Sequence, residues 1–155
     1  MIVELIDVGF DGLDLEGEVP AEVLECGADD PVRCVGPVRC KLHCQVVDDH
    51  LLVDGALSAP LEMRCRRCDV AFAGELEHIP YHYDEELDPM PESVDLTEDI
   101  RESMILAFPS YPVCRESCKG LCAQCGANLN VGDCDCKPPT DLRWGALDRL
   151  ALGKE

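Results

Sequence analysis

Eight of the twelve cysteines fall into four close pairs, each with one to three residues between its members. Structural zinc sites hold the ion in a tetrahedron of four ligands, and short spacings let one turn of backbone supply two thiolates. Eight thiolates in four pairs therefore predict two closed zinc sites, with no open position for metal catalysis. The predicted ligands are Cys65, Cys68, Cys114, Cys118, Cys122, Cys125, Cys134 and Cys136.

The spacing favours one division of these ligands into two sites. The last two pairs are joined by only eight residues and can close on themselves, whereas the CRRC pair at 65–68 needs a distant partner. The pair at 114–118 would supply it, fastening the tail to the sheet and closing a long loop. A rival assignment places Cys118, Cys122, Cys125 and Cys136 around a single zinc ion and leaves the CRRC pair free.

Two other thiol chemistries remain as weaker alternatives. Arg66 and Arg67 would lower the pKa of the CRRC thiols, which suits redox chemistry, but no strand leads CRRC into a long helix as in thioredoxin-like proteins. Four-thiolate sets also bind iron–sulfur clusters. The histidines form no recognisable site. We therefore expect a protein that is not an enzyme.

Residues 32–83 must position the first pair, and their pattern predicts an antiparallel β meander. Apolar and polar residues alternate over 38–46, which places Cys40 and Cys44 on a buried face. Residues 48–50 are predicted to form one turn and CRRCD the next. The alternation of apolar and polar residues changes phase near His78, which predicts a bulge in the third strand. Cys26 and Cys34 are expected to be structural thiols.

The flanking segments are less regular. Residues 2–8 predict a strand, 9–31 a loop with one helical turn near 21–24, and the acidic stretch 84–95 an exposed linker. Asp95 can cap a helix whose apolar residues include Ile100 and Met104, and Pro109 ends it. A short helix after residue 140 would bury Leu147 and Leu150.

These elements define the expected fold class and domains. The fold class is α+β, with an antiparallel β meander or partly open barrel, one packed helix and a C-terminal Cys-rich zinc-binding tail. Residues 1–31 form an N-terminal strand and loop, and residues 32–110 form the core of sheet and helix. Residues 111–155 form the zinc knuckle and a short C-terminal helix, docked on the core.

The charge is strongly acidic, with 13 basic and 32 acidic residues and a formal net charge of −19. Such a chain is repelled as a whole by nucleic acid and anionic membranes. This favours a basic protein partner, or RNA contact through a local basic patch. If the first zinc site docks the tail, one patch gathers Arg64, Arg66, Arg67, Arg115 and Lys119. Alternatively, these residues neutralise thiolate charge and pair with acidic neighbours.

The composition also bears on location. No basic start followed by a long apolar run is visible, and no stretch reaches the roughly 20 apolar residues of a membrane helix. We expect a cytoplasmic protein with no membrane partner and no small-molecule substrate. In a reducing compartment, twelve cysteines indicate metal ligands or buried thiols rather than disulfides.

The order of motifs resembles the YceD family, also known as the large-subunit ribosomal RNA accumulation protein family. The resemblance covers roughly residues 32–150 and rests on CRRC after a meander, VDLTEDIRESMILAFPSYPVC, CKGLCAQCGANLN, CDC and DLRWGALDRL. Departures are small: Asp69 follows CRRC where Gly or Leu is common, and DLRW replaces a frequent Asp-Pro-Arg. Besides the eight cysteines, the matching positions are Gly120, Leu121, Gly126, Asn128, Leu129 and Asn130.

The resemblance implies a non-enzymatic factor for accumulation or processing of large-subunit ribosomal RNA. Its expected partners are the precursor large-subunit particle, ribosomal RNA or a basic ribosomal protein. The alternative is an acidic adaptor or chaperone that shields such a protein, with residues 84–99 prominent among its acidic loops. Some family members lack many of the cysteines, which favours a structural metal. Asn128 and Asn130 are better explained as turn residues that hold the knuckle than as base-recognition residues.

Overall fold

The computed structural model describes residues 1–87, 89 and 91–136. Within them the chain forms seven strands and one α-helix. The strands are β1 (Ile2–Glu4), β2 (Leu13–Val19), β3 (Val32–Cys34), β4 (Val38–Val47), β5 (His50–Arg64), β6 (Ala71–Glu86) and β7 (Ser93–Asp95), and the helix is α1 (Thr97–Leu106). Short 3₁₀ turns lie at Leu5–Asp7 and Ala21–Leu24.

The strands form a five-stranded and a two-stranded antiparallel sheet. The central strand of the larger sheet is β5, which pairs with β6 along one side and with β4 and β3 along the other. Strand β2 pairs with the far side of β4, and β1 pairs with β7. The described part of the chain is therefore mostly antiparallel β with one helix. It contains no barrel closure, because β2 and β6 end the sheet as separate edges.

The predicted meander is present as β4, β5 and β6. Asp48 and Asp49 connect β4 to β5 with φ values of 47° and 64°, the positive values that a two-residue hairpin turn of type I′ requires. The predicted bulge lies in β6. Leu76 pairs with Ala59 and Ile79 with Leu57, so β6 has one more residue than β5 between these two pairs. His78 takes a φ of 53° there.

The core lies between the inner sheet face and α1. Cys40 and Cys44 are buried there, as their strand parity predicts, and Ile100 and Met104 of α1 are fully buried in the same cluster. Asp95 accepts a hydrogen bond from the Thr97 N–H at 3.0 Å, but it lies one residue before the N-cap position, which Leu96 occupies without a side-chain capping bond. The helix ends at Leu106, three residues before Pro109.

Two segments expected to be irregular are strands. The stretch 13–19 is β2, which pairs with β4 residue for residue and buries Val19. The loop expectation was wrong because LDLEGEV alternates as a strand does and pairs with β4. This pairing outweighs the low β propensity of its acidic residues and glycine. The expected linker was also wrong in part, because β6 extends to Glu86 and 93–95 forms β7.

The N-terminal strand is shorter than expected and ends at Glu4. Because β2 pairs with β4, the first 31 residues share a sheet with the core, and the proposed domain boundaries stay a prediction. The expected C-terminal helix with Leu147 and Leu150 lies outside the described residues.

Candidate metal centre

The CRRC segment forms a compact turn at the end of β5. The Asp69 N–H donates to the Cys65 carbonyl at 2.8 Å, and the Cys65 N–H donates to the Val70 carbonyl at 3.0 Å. Asp69 adopts a φ of 56°, which asparagine and aspartate tolerate better than most residues. This turn places Cys65 and Cys68 on the same side, both buried.

The second pair reaches the turn because the tail docks on it through backbone hydrogen bonds. The Arg66 N–H donates to the Pro112 carbonyl at 2.9 Å, and the Leu121 N–H donates to the Arg67 carbonyl at 2.9 Å. Gly120 adopts a φ of 80°, and a Cβ there would lie 3.0 Å from the Arg67 carbonyl oxygen. Glycine is thus required at 120 by both conformation and space.

The first cluster joins Cys65, Cys68, Cys114 and Cys118. Their Sγ atoms all lie within 4.8 Å of one another, and the Cys65–Cys118 and Cys68–Cys114 distances are both 3.8 Å. Four thiolates around one zinc ion, at a zinc–sulfur distance of about 2.3 Å, stand about 3.8 Å apart. A disulfide would need about 2.05 Å. The cluster therefore fits one tetrahedral metal ion.

The second cluster joins Cys122, Cys125, Cys134 and Cys136, whose Sγ atoms also lie within 4.8 Å of one another. The Gly126 N–H donates to the Cys122 carbonyl at 2.9 Å, which closes the CAQCG turn. This cluster is more exposed than the first. The clusters divide the thiols as the favoured assignment does, whereas the rival one-zinc set is not assembled among the described residues.

The thiol pKa values show how each cluster would receive a cation. Burial raises the pKa of Cys65, but backbone N–H groups, led by that of Cys114, outweigh it and lower the pKa to about 6. Backbone N–H groups likewise lower the pKa of Cys122 to about 6. Burial and neighbouring thiols raise the pKa of Cys114 to about 12. A divalent cation would displace the remaining protons, so its binding should release protons to solvent.

Asn130, which lies between Cys125 and Cys134 in the chain, contacts the first cluster, a role that sequence spacing did not reveal. Its Nδ2 donates to Cys118 Sγ at 3.4 Å, and its Oδ1 accepts from the Lys119 N–H at 2.9 Å. The Asn128 Oδ1 in turn accepts from the Asn130 N–H at 3.0 Å. These contacts support the view that both asparagines hold the knuckle, and they orient a ligand as residues behind metal ligands commonly do.

The five candidate contact residues all lie near the first cluster, but most are already engaged. Arg67 donates to the carbonyls of Glu116 and Cys118, both at 3.1 Å. The others pair as Arg64 with Asp69 at 3.4 Å, Arg115 with Asn130 at 3.0 Å, and Lys119 with Asp133 at 3.7 Å. Two of the five thus pair with acidic neighbours, whereas Arg67 and Arg115 bind neutral oxygens of the docked tail.

Arg66 is the exception. Among the described residues its side chain has no hydrogen-bond or salt-bridge partner, although its backbone is fixed by Pro112. It lines an open cavity of about 480 Å³ beside the first cluster, together with Arg64, Arg67 and Asp29. A cation at the mouth of a cavity is available to an external anion. The other described cations pair as Arg33–Glu62, Arg39–Glu75, Lys41–Glu16 and Arg101–Glu98.

Comparison with known proteins places the chain in a family. The family model described as "Large ribosomal RNA subunit accumulation protein YceD" matches residues 53–151. The chain belongs to the YceD family, as its motifs indicate. No solved structure matches it.

The chain is also similar to curated proteins, of which two plant proteins carry the family's name. The chain is 33% identical over 130 residues to an uncharacterised protein of Mycobacterium leprae, covering 74% of this chain and 60% of that one. It is 36% identical over 63 residues to the chloroplastic large ribosomal RNA subunit accumulation protein YCED homolog 1 of Arabidopsis thaliana, and 46% identical over 46 residues to the Zea mays homolog. These matches cover 40% and 29% of this chain, and 20% and 16% of the plant proteins. The chain thus spans about 60% of the length of the mycobacterial relatives.

The described part of the chain includes no helix of the length and apolarity that membrane crossing demands.

Proposed function

We propose that this chain supports the accumulation of large-subunit ribosomal RNA as a non-enzymatic factor, which binds the immature large subunit beside the first cysteine cluster. One observation carries this proposal. Arg66, whose side chain is unpaired among the described residues, faces an open cavity on the turn where tail and sheet are joined. An arginine held this way can contact a phosphate without first breaking an internal ion pair.

Two zinc ions would have a structural part in this function. The first would hold the 114–118 segment on the CRRC turn, and the second would close the knuckle at 122–136. Removing the first ion should release the tail and disperse the groups around Arg66. Zinc is proposed because four thiolates within 4.8 Å of one another, two pairs of them 3.8 Å apart, suit a single tetrahedral ion, whereas an iron–sulfur cluster interposes several atoms between its thiolates.

Gradient sedimentation and a single charge reversal test this proposal. The protein should sediment with precursor large-subunit particles, and its depletion should reduce mature large-subunit RNA. Arg66→Glu should abolish particle association, whereas Lys41→Glu, an exposed reversal on the sheet, should not. A protein that stays in the free pool and whose loss leaves ribosome profiles unchanged would exclude the assembly function. Normal association of Arg66→Glu would exclude only this surface.

A second candidate function is an acidic adaptor that shields a basic ribosomal protein. The specific observation in its favour is that six of the nine described Lys and Arg side chains pair with carboxylates, while the chain keeps a net charge of −19. This candidate predicts salt-sensitive binding of purified basic large-subunit proteins in the absence of RNA. It also predicts that Arg66→Glu has little effect on that binding.

A thiol oxidoreductase is the weaker alternative for the CRRC pair. It would require Cys65 and Cys68 to cycle between thiol and disulfide in the native protein. Zinc retained by the protein as purified, with no turnover of a disulfide substrate, is the expected result.

A further inference from the structure

β2 ends the five-stranded sheet, and no strand of residues 1–87 or 91–136 pairs with its outer side. Its register with β4 runs unbroken over seven pairs, from Leu13 opposite Cys44 to Val19 opposite Val38. Backbone groups alternate sides along a strand, so about half of those in β2 point away from β4. No described residue forms a hydrogen bond with these outward groups. An edge of this kind is a template for a further strand.

The outward positions of β2 can be identified from the ladder. The Val35 N–H donates to the Pro60 carbonyl at 3.1 Å, which shows that even-numbered residues of β5 point towards β3 and β4. Even-numbered residues of β5 lie opposite odd-numbered residues of β4, so the even-numbered residues of β4 direct their backbone groups towards β2. These lie opposite odd-numbered residues of β2, which leaves three even-numbered residues of β2 whose backbone N–H and C=O groups face outward. They are Asp14, Glu16 and Glu18.

All three outward residues are acidic, and their side chains are solvent-exposed. Asp14 contacts His43 at 2.6 Å and Glu16 contacts Lys41 at 3.3 Å, so these two carboxylates would have to exchange a partner on β4 for one on the added strand. Another copy of this edge would bring its own carboxylates opposite them, and like charges across strands are destabilising. A Lys- or Arg-bearing strand would instead place opposite charges there. Between them, Leu13 and Leu15 are half-buried on the inner face, so apolar residues would suit the alternate positions.

The other edge of the sheet lacks these properties. On β6, the same alternation turns the backbone of Pro80 outward, where it offers no N–H. The bulge at His78 breaks the strand two residues earlier. Both are common protections against added strands. Strand β2 has neither, which distinguishes it as the receptive edge.

We propose that the β2 edge binds an extended basic segment of a partner protein, which adds to the sheet as a strand and alternates Lys or Arg with apolar residues. Backbone hydrogen bonds would hold the segment, and Asp14, Glu16 and Glu18 would select its charge. RNA does not suit this edge, because three exposed carboxylates repel phosphate. The inference rests on the second candidate function, since it specifies how an acidic adaptor would hold a basic protein.

Peptide binding to the zinc-loaded full chain tests this inference. The probe is a fluorescein-labelled nine-residue peptide that alternates lysine with valine or threonine, measured by fluorescence anisotropy. Glu16→Pro removes one outward N–H and leaves the bonds to β4 intact, so it should weaken binding at least tenfold. A peptide with glutamate for lysine should not bind. Far-UV circular dichroism verifies that the variant is folded.

A charge-only variant provides an independent route. The triple change D14N, E16Q and E18Q should weaken binding at least fivefold, while the matched surface triple E77Q, E86Q and E102Q should change it less than twofold. In wild-type protein, the peptide should slow amide hydrogen exchange at 14, 16 and 18. Unchanged binding by the edge triple, unaltered exchange, or stronger protection by a single-stranded RNA of similar charge would overturn the proposal. If Glu16→Pro does not fold, the proposal is tested by comparing the peptide affinities of the two triple variants.

Sedimentation separates this inference from the proposed function. An edge variant that loses the peptide but still joins precursor particles and restores ribosomal RNA would leave the strand site valid and exclude it from the adaptor function. Normal peptide binding by a protein that never joins such particles would exclude the ribosomal function and leave the edge proposal intact.

Discussion

Replacing Cys65 and Cys118 together by serine should lower the free energy of unfolding by about 4 kcal/mol in zinc-containing buffer. The double change removes half of the thiolates from the first cluster, which leaves too few to hold a tetrahedral ion. The shortest loop between the two cysteine pairs of this cluster runs from Cys68 to Cys114, a separation of 46 residues. The loop-entropy relation for cross-links gives about 4 kcal/mol for that length.

The second cluster supplies an internal comparison for this magnitude. The shortest loop between its two cysteine pairs joins Cys125 to Cys134, only nine positions along the chain. The same relation gives about 2.6 kcal/mol, so C125S with C136S should cost about 1.4 kcal/mol less than the first double variant. Cys26→Ser, a thiol outside both clusters, should change stability by less than about 0.5 kcal/mol.

Urea unfolding followed by far-UV circular dichroism measures these free energies, and native mass spectrometry counts the bound zinc. Wild-type protein should carry two ions and each double variant one. After chelation, the wild type and the first double variant should unfold alike, because the cross-link is then absent from both. A stability difference that survives chelation would assign the effect to thiol packing and refute the cross-link argument. A wild type with one ion that C65S does not displace would favour the rival ligand set.

Three other variants test separate parts of the structure. Hydrogen bonding to Asp84 raises the pKa of His50, so this contact stabilises the fold below about pH 6.5 and loses its effect as pH rises through the higher folded-state pKa. Asp84→Asn should lower that pKa in an NMR titration. Asn130→Ala should weaken zinc binding about 10- to 100-fold in competition with a chromophoric chelator, because its amide orients Cys118. Leu57→Ala should lower the free energy of unfolding by about 2–5 kcal/mol in urea titration, because Leu57 is fully buried.

Each of these variants has a matched control. Glu22→Gln should leave the His50 pKa unchanged, and an unchanged value in Asp84→Asn would show that the contact is absent in solution. Gln124→Ala, an exposed change within the knuckle, should retain full zinc affinity. Leu106→Ala, at a largely exposed residue, should cost less than about 0.5 kcal/mol, and a cost equal to that of Leu57→Ala would contradict the assigned core.

The parts of the structure that depend on short-range patterns were predictable from the sequence. Alternation along 38–46 correctly placed Cys40 and Cys44 in the core, because side chains of a strand alternate between two faces. The grouping of thiols was also accessible, since ligand number and pair spacing leave few ways to build four-ligand sites. The turn at Asp48 and Asp49 followed from residues that tolerate positive φ.

The parts that depend on distant partners were not predictable in this way. The alternation of LDLEGEV is a local strand signal, but its acidic residues and glycine have low β propensity, and its pairing with β4 supplies the stability that the segment itself lacks. The sequence likewise grouped the basic residues around CRRC without indicating their acceptors. That Arg67 reaches the carbonyls of Glu116 and Cys118 depends on how the tail docks.

Those acceptors change what the basic cluster can do. Two zinc ions with eight thiolates would each add −2, taking the formal charge from −19 to −23. Among the described residues, only Arg66 is available to a phosphate without losing an internal partner. The logarithm of RNA affinity falls with the logarithm of salt concentration by about 0.7–0.9 per phosphate neutralised. A measured slope near one would therefore mean that protein contacts hold the complex, with Arg66 adding a single phosphate. A slope of four or more would mean that cations now paired, such as Arg64 and Lys119, exchange their carboxylates for RNA when the complex forms.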